Sequence, residues 1–146
     1  MSGYHYNLLG DGCAVRIDHT ALGARDPEEL ASWYEQWFGL QKERVLRSAP
    51  RLPIVFLIDR CGRRLEIVPA GPRRPLTTTS RSPHVAFSTT DVERELVRLE
   101  NADITVVEDR RTSIGWRIAY LTDPEGNLLE LVERSSDSQN TGEDVT

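Results

Sequence analysis

A chain of 146 residues and 16.5 kDa has room for one domain, or for two small modules that share a core. Its 38% hydrophobic and 28% charged composition is that of a globular chain, and no apolar run approaches the roughly 18 residues of a membrane span, which excludes a membrane protein. A net charge of −5 and a pI near 5.2 oppose a phosphate backbone and exclude nucleic acid as the expected partner.

Residues 1–13 are polar and turn-rich, lack the regions of a signal peptide, and are expected to form a loose arm in which His5 is solvated. With only Cys13 and Cys61 and no CxxC spacing, the expected setting is reducing and cytoplasmic, with two free thiols. A first strand is expected over residues 15–22. Asp26-Pro27-Glu28-Glu29 then supplies an N-cap, a proline at the first helical position and an acidic first turn. Leu30, Trp33, Tyr34, Trp37 and Phe38 fall at helical spacing and form one apolar stripe that ends at Gly39. Three strands follow, near 41–47, 54–58 and 63–68, so residues 14–70 read as strand, helix and three strands. Residues 71–82, rich in Pro, Gly and Thr, are a connector.

The order then repeats over residues 83–134. A strand around His84 leads to Thr90-Asp91-Val92-Glu93, which opens a helix to about Asn101 with Val92, Leu96 and Leu99 inward. Strands are expected near 104–108, 117–121 and 128–132, the last two joined by a turn at Asp123-Pro124-Glu125-Gly126. Residues 135–146 are acidic and patternless, as a disordered tail would be.

Four residues stand out in this frame. Glu130 lies between aliphatic neighbours on a strand whose two faces both look buried, and a carboxylate there needs a cation beside it or a raised pKa. Glu66 holds the matching place in the first module, and His19 and His84 lie on the two opening strands. His19 to Glu66 is 47 residues and His84 to Glu130 is 46, the spacing of a duplicated module. If a twofold axis relates the copies, the four converge on one point within a curved sheet. Two imidazoles and two carboxylates suit a divalent first-row metal and leave coordination positions for water or substrate. Arg73, Arg74, Arg81, Arg110, Arg111 and Arg117 are candidates for contact with an anionic substrate, although a solvated charge is the simpler reading of each. Trp116 either walls a pocket or packs at a strand start.

The chain resembles the vicinal oxygen chelate superfamily, the glyoxalase, bleomycin-resistance and dioxygenase group, over residues 14–134. The resemblance is carried by Ile17-Asp18-His19-Thr20-Ala21-Leu22, Trp33-Tyr34 through Phe38-Gly39-Leu40, Leu65-Glu66-Ile67, Pro83-His84-Val85-Ala86-Phe87 and, above all, Tyr120-Leu121-Thr122-Asp123-Pro124-Glu125-Gly126-Asn127-Leu128-Leu129-Glu130-Leu131. It implies an α+β fold of paired βαβββ modules, a cupped eight-stranded mixed sheet around one metal, and a homodimer. The His, Glu, His, Glu order is similar to that of glyoxalase I. That likeness implies His19, Glu66, His84 and Glu130 as ligands of a divalent ion (Ni, Co, Zn, Mn or Fe), and Glu130 as the base of a lyase or isomerase. Such an enzyme acts on a small oxygenated substrate through an enediolate-like intermediate. The positions matching the glutathione-anchoring Arg and Asn hold Gly23 and Ala70, so the likeness covers the metal set and not the thiol-binding set. The alternatives are a non-enzymatic drug- or metabolite-binding protein of bleomycin-resistance type and an extradiol-type dioxygenase.

Overall fold

The computed structural model describes residues 15–71 and 82–135. The expected arm and tail, most of the connector, His5, Cys13, Arg73, Arg74 and Arg81 lie outside the described residues. The elements run β1 (His19–Ala24), α1 (Pro27–Phe38), β2 (Gln41–Leu46), β3 (Ile54–Ile58), β4 (Arg64–Pro69), β5 (Val85–Ser88), α2 (Val92–Arg98), β6 (Thr105–Arg111), β7 (Arg117–Thr122) and β8 (Leu128–Glu133).

The caps act as the sequence indicates. Asp26 Oδ1 accepts from the amides of Glu28 and Glu29, both at 3.1 Å, and Gly39 closes α1 at φ 66°, a left-handed conformation that glycine adopts without a Cβ penalty. Asp91, the second residue of its capping sequence, caps α2 by accepting from the Arg94 amide at 2.9 Å. Three boundaries differ from the sequence reading. β1 starts at His19, where its parallel ladder with β4 begins opposite Arg64, and the side chains of Val15 and Ile17 before it are 81% and 91% exposed. α2 stops at Arg98, where Leu99 leaves helical geometry and Asp103 turns the chain at φ 55°. β6 extends to Arg111, paired with Arg117.

The eight strands form two four-stranded mixed sheets, ordered β1-β4-β3-β2 and β5-β8-β7-β6. In each, the opening strand runs parallel to the closing strand and the remaining pairs are antiparallel. The modules therefore repeat in three dimensions as α+β units. β1 pairs with β4 and β5 with β8, so within one chain the strands do not join into one eight-stranded sheet.

Alternation along the strands sorts the side chains. Val55, Leu57, Leu65 and Ile67 of the first sheet and Ala119, Leu121, Leu129 and Leu131 of the second belong to one buried core that also takes in Leu30, Ala31 and Tyr34 of α1. The modules are tied through α1: the Trp33 indole N–H donates to the Ala102 carbonyl at 2.6 Å, and Tyr34 stacks on Phe87 at 6.3 Å. The opposite faces of both sheets point away from this shared core, and the functional candidates lie on them.

Candidate metal centre

On the first sheet the residues facing away from the core include Phe56 on β3 and Glu66 on β4, which are register partners. His19, at the start of β1, places Nε2 3.2 Å from Glu66 Oε2 and its ring edge-on to Phe56, with centroids 5.4 Å apart. Its other nitrogen, Nδ1, lies 2.8 Å from Asp18 Oδ2. The hydrogen bond to His19 holds the Asp18 carboxyl below its usual range, and the same bond, helped by the Glu66 charge, raises the His19 pKa against some desolvation.

The second sheet repeats the constellation. Tyr120 on β7 and Glu130 on β8 are register partners, and His84, just before β5, places Nε2 2.9 Å from Glu130 Oε2. The His84 ring meets Tyr120 edge-on at 5.2 Å. Nδ1 of His84 donates to the Ser82 carbonyl at 2.7 Å. The Tyr120 hydroxyl hydrogen-bonds Glu130, and burial, followed by the Glu130 charge, pushes the phenol up, so it stays a neutral donor. Glu130 shares its face with Leu128, Val132, Ile118 and Tyr120, a small second cluster with Trp116 packed against it.

Each imidazole thus gives its Nδ1 hydrogen to an acceptor, a carboxylate for His19 and a backbone carbonyl for His84, and turns Nε2 toward a carboxylate oxygen. A lone pair facing a carboxylate is repulsive unless something positive lies between them. A proton fills that role when the imidazole is charged, and a metal cation when it is neutral. Fixing Nδ1–H on a carboxylate or carbonyl is how metal-binding histidines are usually oriented. The donor set therefore fits a divalent ion. The four predicted ligands are brought together as two pairs and not as one group: among the described residues no three His, Cys, Asp or Glu side chains gather to hold a metal. The convergence expected within a single curved sheet does not occur among the described residues, because each pair lies on its own four-stranded sheet, on the face opposite the shared core.

Sequence reasoning missed Phe56 and Tyr120. The signal was available, since each stands ten residues before the glutamate of its module, and the structure makes them register partners of those glutamates. Of the arginines singled out, Arg117 pairs with Asp109 through two bonds of 2.8 Å and Arg110 with Glu108, so both charges are engaged locally. Trp116 carries the Arg134 guanidinium 4.7 Å above its ring.

A sequence profile described as the Glyoxalase/Bleomycin resistance protein/Dioxygenase superfamily matches residues 16–131. The uncharacterized protein YwbC of Bacillus subtilis is 27% identical over 125 residues, covering 83% of this chain and 99% of that one. The crystal structure of SMU.1112c superposes with a TM-score of 0.68 at 26% identity, over 83% of this chain and all of the other. A mutant of the fosfomycin resistance protein FosX from Listeria monocytogenes, complexed with Mn(II) and dihydroxypropylphosphonic acid, superposes with a TM-score of 0.69 at 17% identity, over 88% of this chain and 98% of that one.

Proposed function

Since the chain belongs to the Glyoxalase/Bleomycin resistance protein/Dioxygenase superfamily, we propose that it is a metal-dependent lyase or isomerase that acts on a small oxygenated substrate. The observation that carries the reading is the duplicated arrangement in which His19 and His84 each turn Nε2 toward a glutamate oxygen, at 3.2 and 2.9 Å. His19, Glu66, His84 and Glu130 would hold the ion, with two nitrogen and two oxygen donors suited to a first-row divalent metal. When bound, the ion supplies Lewis acidity that stabilises negative charge growing on a substrate oxygen.

The chain's own residues supply the rest. Glu130 takes a proton from the carbon beside that oxygen and returns it to the neighbouring carbon, the step that rearranges an enediol-type substrate. Tyr120 donates to Glu130 and orients it, while His84 is itself fixed on Ser82. The apolar cluster of Ile118, Leu128, Val132 and Trp116 keeps bulk water from the carboxylate.

A homodimer completes this reading. One chain carries two separate His–Glu pairs, and the apolar residues Val15 and Ile17, just before His19, are 81% and 91% exposed. A second copy would cover those residues and set the His19–Glu66 pair of one chain opposite the His84–Glu130 pair of the other. Metal analysis of protein purified without chelator is expected to find one divalent ion per chain. Glu130→Gln is expected to lose activity by at least about a hundredfold, the scale of a general-base loss. Metal-free protein that takes up no added Mn(II), Ni(II), Zn(II), Co(II) or Fe(II) overturns the reading.

A further inference from the structure

A groove of about 800 Å³ opens at the far end of the first sheet, between the β2–β3 loop and the end of β4. Its floor is apolar. Ile54 and Val68 lie across from one another on the sheet face that carries Phe56 and Glu66, and Leu46 and Leu52 stand at its sides, 45% and 51% exposed. Val68 follows Glu66 by two residues and Ile54 precedes Phe56 by two, so the floor begins one strand repeat, roughly 7 Å, from the first His–Glu pair.

The charge at the groove is one-sided. Among the described residues Arg47 and Arg51 both line it, and no carboxylate does. Arg47 is committed, with its two terminal nitrogens on Glu28 at 3.1 and 2.6 Å. Arg51 has no ion pair or side-chain hydrogen bond among the described residues, although its backbone amide is held by the Ser48 carbonyl at 2.9 Å. An unpaired guanidinium at the mouth of an apolar trough is a fork for an oxyanion whose carbon body lies in the trough.

We infer that this groove seats an amphipathic carboxylate or related oxyanion, with the anionic head on Arg51 and the apolar body over Leu46, Leu52, Ile54 and Val68. Its direction along β4 brings the other end of such a molecule to Glu66 and His19. This narrows the substrate of the proposed enzyme to a molecule with an apolar middle and an anionic end, and only that narrowing rests on the metal reading. The binding itself does not.

The test uses three probes with one carbon skeleton, phenylbutyrate, phenylbutanol and phenylbutylamine, titrated into the full chain and followed by backbone amide shifts. The carboxylate is expected to bind at least about tenfold more tightly than the alcohol, and the amine more weakly still, with shifts centred on Leu46, Leu52, Ile54 and Val68. Arg51→Ala is expected to erase the preference for the carboxylate, and Arg51→Lys to restore part of it. Leu52→Gln, at a half-exposed position that folding tolerates, is expected to weaken all three alike. Equal binding of the three probes, shifts elsewhere, or a carboxylate preference that survives Arg51→Ala overturns the inference. Measuring metal uptake by the wild-type chain beside the titration separates the two readings. Wild type that takes up no added metal but binds the carboxylate through Arg51 removes the enzyme and keeps the groove, and the reverse result does the opposite.

Discussion

Asp123 shows how one buried side chain can serve the whole turn around it. It is 3% exposed, and its Oδ1 accepts from the amides of Glu125 and Asn127 at 2.9 and 2.8 Å. Its Oδ2 accepts from the Tyr34 hydroxyl at 2.9 Å and from Asn127 Nδ2 at 2.6 Å, and Nδ2 also reaches the Gly23 carbonyl at 3.1 Å. Tyr34 and Gly23 belong to the first module, so this turn is a polar rivet through the shared core. Burial pushes the Asp123 carboxyl above its ordinary range, and the hydrogen bonds from Asn127 and Tyr34 offset part of that. A raised folded pKa means that the folded chain holds the proton longer than the unfolded one, so this group's contribution falls as pH rises from the usual carboxylate range through the raised value. Urea titrations across acidic pH should show wild type losing stability through that window relative to Asp123→Asn. The variant itself should be less stable by about 1–3 kcal/mol, because a buried donor loses its acceptor. Parallel pH profiles would contradict the assignment. Tyr120→Phe tests the other residue-level claim. Phe56 fills the equivalent place in the first module, so the ring alone is tolerated. The variant should keep its melting temperature and lose about tenfold in metal affinity, measured by competition with a chelating dye.

Elements were legible in the sequence wherever local chemistry decides them. Asp26, Pro27 and Gly39 bound α1 because a side-chain acceptor, a missing N–H and a missing Cβ act on the backbone where they stand. Asp26→Ala should therefore cost about 1 kcal/mol and Gly39→Ala a similar amount, read as shifts in the chemical-denaturation midpoint. The βαβββ repeat was legible as well, because two nearly equal His-to-Glu spacings, 47 and 46 residues, reflect the same strand register in each module, with the glutamate opposite the residue two beyond the histidine. The start of β1 was not, since Val15 and Ile17 carry strand-like alternation and only the register with β4, which begins at His19 opposite Arg64, sets the end of the ladder. Phe56 and Tyr120 were hidden for a related reason. An aromatic residue on a strand reads as core until the register with Glu66 and Glu130 shows which face it takes. The groove beside Arg51 had no signature at all, because it depends on where the β2–β3 loop folds back over Ile54 and Val68.

At the scale of the whole molecule, the core that the two sheets share with α1 limits what one chain can do. That core consumes one face of each sheet, including Leu57, Ile67, Leu121 and Leu129, and leaves the two His–Glu pairs as separate groups on the other faces. Rearranging the sheets to join the pairs would expose fully buried aliphatic residues at about 25 cal/mol for each Å². Under the proposed function, a four-ligand ion would take two chains, each contributing one pair to each of two sites. That geometry makes a sharp prediction for mixed dimers. His19→Ala damages the first-module half of a site and His84→Ala the second-module half, so either variant alone has both sites of its homodimer impaired. In a heterodimer of the two, one site collects both lesions and the other is intact. Mixing the variants under conditions that exchange subunits should recover metal binding and activity to about a quarter of wild type, because random pairing makes half of the dimers mixed and each carries one working site of two. Sites built within single chains would give no recovery on mixing, since every chain would still lack one imidazole.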